Sequence, residues 1–171
     1  MLSTIILFFC FTLSGCLNLI TDRGRPMTQE QVVEFFESNY DTLVMVAIFM
    51  ADIDHDGILE IRSNPYDGAW IYELVGDAWG EKKIIEDPLV IEAINVLQEQ
   101  WYHRINRNQN VIHFIRDTRG EWDRYGRFRT GVAYVIDGRN LSSNVFTTYI
   151  PLEISNWYFY KYTDNLDLIN E

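Results

Sequence analysis

"NWYFYKYT", residues 156–163, is a run of aromatic side chains of the kind that β-strands carry, and its reading decides the fold. In a strand, successive side chains point to opposite faces, so Trp157 and Phe159 share one face and Tyr158, Tyr160 and Tyr162 the other. The Trp157 face reads as core. The tyrosine face either packs as well or presents rings to a sugar or a partner. Upstream, "VFTTYIPLEI" (145–154), "FRTGVAYVIDG" (128–138) and "NVIHFIRD" (110–117) are likewise rich in β-branched and aromatic residues. Turn residues separate them, as in an antiparallel sheet. In the last of these, His113 alternates with Val111 and Ile115, the pattern of a histidine packed on a strand face.

The N-terminal half adds helices. Thr28-Gln29-Glu30-Gln31 is a capping box, a hydroxyl at the N-cap with Gln at N3. Val32, Val33, Phe35 and Phe36 follow at helical spacing, which predicts a helix over 29–38 that ends at Asn39-Tyr40-Asp41. "TLVMVAIFMA" (42–51) is apolar throughout and fits either a buried strand or a buried helix; Val44, Val46 and Ile48 tilt it towards strand. "ILEIRS" (58–63) reads as the next strand, and "GAWIYELVGDAWGEKKII" (68–85) as a hairpin turning at Gly76-Asp77. Pro88, just after Glu86-Asp87, sits where the first residue of a helix belongs. The period of Val90, Ile91, Ile94, Leu97, Trp101 and Ile105 predicts a helix over 88–106. The fold class is α+β: a largely antiparallel sheet with about two helices packed on it, in one domain.

The chain has 171 residues, 47% apolar and 15% aromatic, enough to build a core and too apolar for a disordered segment. Residues 5–13 form a charge-free apolar run, too short for the roughly 20 residues that span a bilayer but of the length of a signal-peptide core. It ends in Leu13-Ser14-Gly15-Cys16, which resembles the lipobox of bacterial lipoproteins, although the preceding "MLST" lacks the usual Lys or Arg. The resemblance implies cleavage before Cys16 and a lipid on its sulfur. It divides the chain into a signal peptide (1–15), a lipidated cysteine with a short tether (16–27) and a single α+β envelope domain (28–171). Cys10 would leave with the signal peptide, so the mature domain would hold no free thiol and no disulfide. Leu17 rather than Asp after the cysteine implies, for a Gram-negative source, the outer membrane facing the periplasm.

Net charge is −11. That disfavours nucleic acid and anionic lipid as partners of the domain as a whole. The charge is uneven. Residues 22–99 carry 17 acidic and 5 basic side chains, whereas 104–139 carry 8 basic and 4 acidic.

"ADIDHDGILEIRS" (51–63) is the densest acidic motif. Asp52, Asp54 and Asp56 alternate before Gly57, and Glu60 follows. Carboxylates spaced in this way can converge on a hard cation such as Ca²⁺; equally, they can form a solvated turn in which Asp side chains bond their own backbone. The first half resembles an EF-hand loop, but Ser63 stands where that family needs a bidentate Glu. The segment is more similar to the calcium loops of FG-GAP and VCBS repeats, with Glu60 at the ninth place and an apolar strand after it. That resemblance covers residues 44–85 in a single copy, so it implies a structural strand–loop–strand ion site and no propeller.

"RDTRGEWDRYGRFRT" (116–130) interleaves arginines with aromatics. Arg119, Trp122, Arg124, Tyr125 and Arg127 are of the types that dominate protein interfaces; alternatively, the arginines pair with the acidic half of the domain. Catalytic patterns are absent: the histidines His55, His103 and His113 lack metal-ligand spacing, and there is no nucleophile elbow or P-loop. Glu121 and Asp123 form a carboxylate pair of a common spacing. These features lead to the expectation of a lipid-anchored envelope binding protein without catalytic activity, such as an immunity-type inhibitor with a structural Ca²⁺ loop. The alternative is a cation-dependent envelope enzyme or enzyme accessory using His113 or Glu121.

Overall fold

The computed structural model describes residues 27–64, 67–75, 78–99, 104–117 and 128–163. Cys16 and the signal segment, the Gly76-Asp77 turn, His103, and Arg119 to Arg127 of the arginine-rich segment lie outside the described residues.

The first helix, α1 (Gln29–Ser38), starts as its capping box demands. The Gln31 amide donates to Thr28 Oγ1 at 3.3 Å, and the Thr28 amide donates to Gln31 Oε1 at 3.0 Å. Val32 and Phe36, one turn apart, bury its inner stripe. Asn39 then ends α1 with its amide on the Phe35 and Phe36 carbonyls, while its Nδ2 donates to Phe35 O at 3.0 Å. A second helix, α2 (Tyr40–Ala51), begins at once.

The expectation of a strand over 42–51 is thus corrected. Leu43, Val46, Ala47 and Met50 are buried at helical spacing, with α2 packed along the third helix. Three β-branched residues disfavour a helix by only a few tenths of a kcal/mol each, far less than burying that stripe contributes.

Then come β1 (Ile58–Asn64), β2 (Gly68–Val75) and two short pieces, β3 (Ala78–Trp79) and β4 (Lys83–Ile84), which both pair with the outer edge of β2. The expected hairpin is present, though its return arm is broken in two. The third helix, α3 (Pro88–Glu99), opens with Pro88 at its first position and Asp87 as cap, whose Oδ1 accepts from the Leu89 amide at 2.9 Å. Its described span runs to Glu99, and the expected extent to 106 is corrected because Ile105 belongs to a strand. Ile105 lies eight residues after Leu97, a spacing that helical periodicity also satisfies.

Five strands complete the sheet: β5 (Arg104–Asn108), β6 (Val111–Asp117), β7 (Phe128–Val135), β8 (Thr147–Pro151) and β9 (Trp157–Thr163). Every pairing is antiparallel, in the order β3-β2-β1-β5-β6-β7-β9-β8. Among the described residues the fold is therefore one domain, a nine-stranded antiparallel sheet that dominates three helices, roughly consistent with the expected sheet and about two helices.

Strand alternation assigns the two faces. Leu59, Ile61, Ala69, Ile71, Ile105, Ile112, Phe114, Val132, Trp157 and Phe159 join the helix residues in the main core. Trp157 is its aromatic hub, with ring centroids 5.1 Å from Phe36 and 5.0 Å from Tyr134. At the β8 edge, Ser143 covers Tyr149 by accepting from its amide at 2.9 Å, which occupies a backbone group that an edge strand otherwise leaves open to pairing.

Candidate functional site

The opposite face of the sheet is covered by no helix among the described residues. The registers lay its side chains out in rows. One row runs Tyr72, Glu60, Asn106, His113, Ala133, Tyr158 across β2-β1-β5-β6-β7-β9. The next runs Trp70, Arg62, Arg104, Ile115, Gly131, Tyr160, Tyr149, out to β8. The face therefore has a charged half, on β2-β1-β5, and an aromatic half, on β6 to β9.

The aromatic half is a second, smaller core. Val111, Ile115, Ala133, Val135, Tyr158 and Tyr160 are buried, with Leu141 and Tyr149 packed on them. Gly131 lets β7 approach β6 closely: a Cβ there would stand 1.9 Å from the Phe114 carbonyl oxygen. His113 Nε2 lies 2.9 Å from Tyr149 Oη, and its ring centroid is 4.7 Å from that of Tyr160. Burial among these rings pushes the imidazole down to about 4 and raises the Tyr149 hydroxyl. His113 is thus the packed histidine that its alternation implied. The tyrosine face is mostly packed as well, with Tyr158 6% and Tyr160 7% exposed.

The charged half is more open. Glu60 is only 5% exposed and accepts from Arg62 Nε at 2.6 Å, with Arg104 Nε 3.9 Å from its other oxygen. Burying a carboxylate this deep is costly without such partners. The Arg62 guanidinium, itself about half-exposed, lies 4.9 Å from the Tyr72 ring centre and 5.6 Å from that of Trp79. Lys82 Nζ stands 3.8 Å over Trp70. The result is a shallow patch of cations stacked on aromatic rings around a buried acid.

The acidic loop lies elsewhere. Asp52, the C-cap of α2, is exposed, as are Asp54 and Asp56. Glu60 is engaged with arginines on the sheet face, so a cation held by all four would have to draw Glu60 away from Arg62. Among the described residues, no group of three or more His, Cys, Asp or Glu side chains is gathered to hold a metal ion. What fastens the loop is Arg107, buried on β5. Its Nη1 donates to the carbonyls of Met50 at 2.9 Å and Ile53 at 2.6 Å, and its Nε to Gln109 O at 2.8 Å. A guanidinium thereby satisfies carbonyls at the end of α2, where the helix dipole favours a cation.

Arg119, Trp122, Arg124, Tyr125 and Arg127 belong to the segment joining β6 to β7, outside the described residues. The strand ends it joins, Asp117 and Phe128, lie at the Arg62–Arg104 end of the sheet. Sequence reasoning missed Arg62, Trp70, Tyr72, Trp79, Arg104 and Arg107. Strand alternation in "ILEIRS" and "GAWIYEL" already places Glu60 with Arg62, and Trp70 with Tyr72; nothing local marks Arg107. Compared with protein-family models, with curated proteins and with solved structures, the chain matches none.

Proposed function

We propose that this protein is a lipid-anchored cell-envelope protein that works by binding a protein partner and carries out no reaction of its own. Cys16 would carry the lipid, and in a Gram-negative envelope the domain would face the periplasm from the outer membrane. One observation supports the binding surface above all: Arg62, Tyr72 and Trp79 stack beside Glu60 and Arg104 on the sheet face that no helix among the described residues covers. Arg, Tyr and Trp are the side chains that dominate interface energetics. The arginine–aromatic segment containing Arg119, Trp122, Arg124, Tyr125 and Arg127 leaves the sheet at the same end, so the two can serve one partner. An immunity-type inhibitor is a specific form of this reading, by analogy of size, charge and location alone.

The test has two arms. Cys16→Ser should move the protein from the membrane fraction to the soluble fraction. In pull-downs from envelope extract, a partner held by the parent chain should be lost with Arg62→Ala/Trp79→Ala and with Trp122→Ala/Arg124→Ala. An unchanged partner set in both double variants would remove this surface from the proposal.

A structural Ca²⁺ at Asp52, Asp54, Asp56 and Glu60 is the second element, supported by the motif's spacing. Calorimetric titration should then show heat with the parent chain and none with Asp54→Ala, together with a Ca²⁺-dependent rise in melting temperature. Absence of both heat and shift in the parent would end the metal reading.

A further inference from the structure

On the helix side of the sheet, away from the patch just described, a cavity of about 440 Å³ opens at the start of α1. Thr28 and Gln29 line it from the helix, Thr130 from β7, Thr148 from β8 and Lys161 from β9. The strand registers put Lys161 directly between Thr130 and Thr148, so a lysine stands between two threonines in one cross-strand row.

Two further features point to an anion. The capping box uses the amides of Thr28 and Gln31 only. The first-turn amides of Gln29 and Glu30 have no acceptor within the helix, and the dipole favours negative charge there. The Glu30 carboxylate is exposed and is not among the lining groups. Independently, Thr130 is 1% exposed, lines the cavity, and its Oγ1 finds no hydrogen-bond partner among the described residues. A buried hydroxyl left in that state is uncommon. An oxygen ligand in the cavity would complete it after a small turn of the side chain.

We propose that this cavity binds a phosphate group. Donor-bearing residues line it from two sides, the start of the helix on one and two threonines and a lysine of the sheet on the other. That arrangement suits a tetrahedral oxyanion. A planar carboxylate is better matched by the fork of an arginine, and the lining cation here is a lysine, a point charge. The net charge of the chain, −11, opposes any anion at long range, so the affinity must come from these short-range donors.

The phosphate has two possible sources, a free phosphate compound or a phospholipid headgroup. The second rests on the lipid-anchor reading: Met27 follows Cys16 by eleven residues, a reach of roughly 18 Å from the bilayer for a flexible chain.

The test uses the purified full-length chain in nonionic detergent and phosphate-free buffer. Inorganic phosphate is titrated by calorimetry at constant ionic strength, with chloride as the control anion. A dissociation constant on the order of 1 mM is expected, weakened about tenfold or more in Lys161→Met and in Thr130→Val. Thr130→Val removes only the unpartnered hydroxyl, so it should fold as well as the parent and keeps the test valid if the lysine variant does not fold. No phosphate-specific heat in the parent, or undiminished affinity in Thr130→Val, overturns the proposal. A second arm titrates short-chain phosphatidylglycerol below its micellar concentration. Tighter binding of the lipid than of phosphate, lost in the same variants, assigns the headgroup; binding of phosphate alone assigns a free phosphate compound.

Discussion

Arg107→Met is expected to unfold in urea with about 4 kcal/mol less stability than the parent chain. The substitution keeps a long apolar stem but deletes three hydrogen bonds from a charged donor, to the carbonyls of Met50, Ile53 and Gln109. The Met50 carbonyl is then left buried without its partner, which makes the loss larger than the removed bonds alone. Arg107→Lys should recover less than half of it, because one ammonium cannot span the fork that reaches Met50 and Ile53 from Nη1 and Gln109 from Nε. The effect should also be local. Amide exchange at the end of α2 and through residues 52–57 should accelerate more than exchange in β6 or β9. A change below about 1 kcal/mol would mean that water replaces the guanidinium and that the loop holds itself. The result bears on the acidic loop, since three exposed aspartates flank a backbone that Arg107 already grips.

The second large effect is a dependence of stability on pH through His113. Its imidazole titrates at about 4 in the folded chain because burial disfavours the charged ring. In the unfolded chain it titrates near 6.5. The unfolded state therefore binds the extra proton first. The full contribution is present above about pH 6.5 and is lost as pH falls towards 4. The expected loss is about 2 kcal/mol between pH 7.5 and 5, reaching about 3 kcal/mol at pH 4. His113→Gln, which stays neutral and still offers a polar group to Tyr149, should flatten the curve by that amount over pH 7.5 to 5. A variant with the same slope as the parent would show that the imidazole protonates in place, with the tyrosine cluster opening to admit water.

Much of the sheet was legible because strand alternation is local. Val111, His113 and Ile115 on one face, Trp157 and Phe159 on one face, and the tyrosines on the other follow from a period of two. They needed no knowledge of neighbours. The starts of α1 and α3 were legible for a similar reason: Thr28 with Gln31, and Pro88 after Asp87, satisfy amides within one turn. Residues 42–51 were not legible, since an unbroken apolar run carries no period, and whether α3 and the sheet flank it is a fact about distant residues. Ile105 was misassigned because a helix continuing from Leu97 and a new strand both put it inside.

By itself, then, the sequence determined the class, the mostly antiparallel sheet and which side of each strand faces inward, because these depend on backbone periodicity and on caps a few residues long. Only the tertiary structure decided what the charges do. Glu60 meets Arg104, Arg107 meets Met50, and Lys161 stands between Thr130 and Thr148 because strand order and register bring together residues far apart in the chain. Electrostatic and hydrogen-bonding partners act over a few ångströms of space, and no spacing along the sequence encodes that distance.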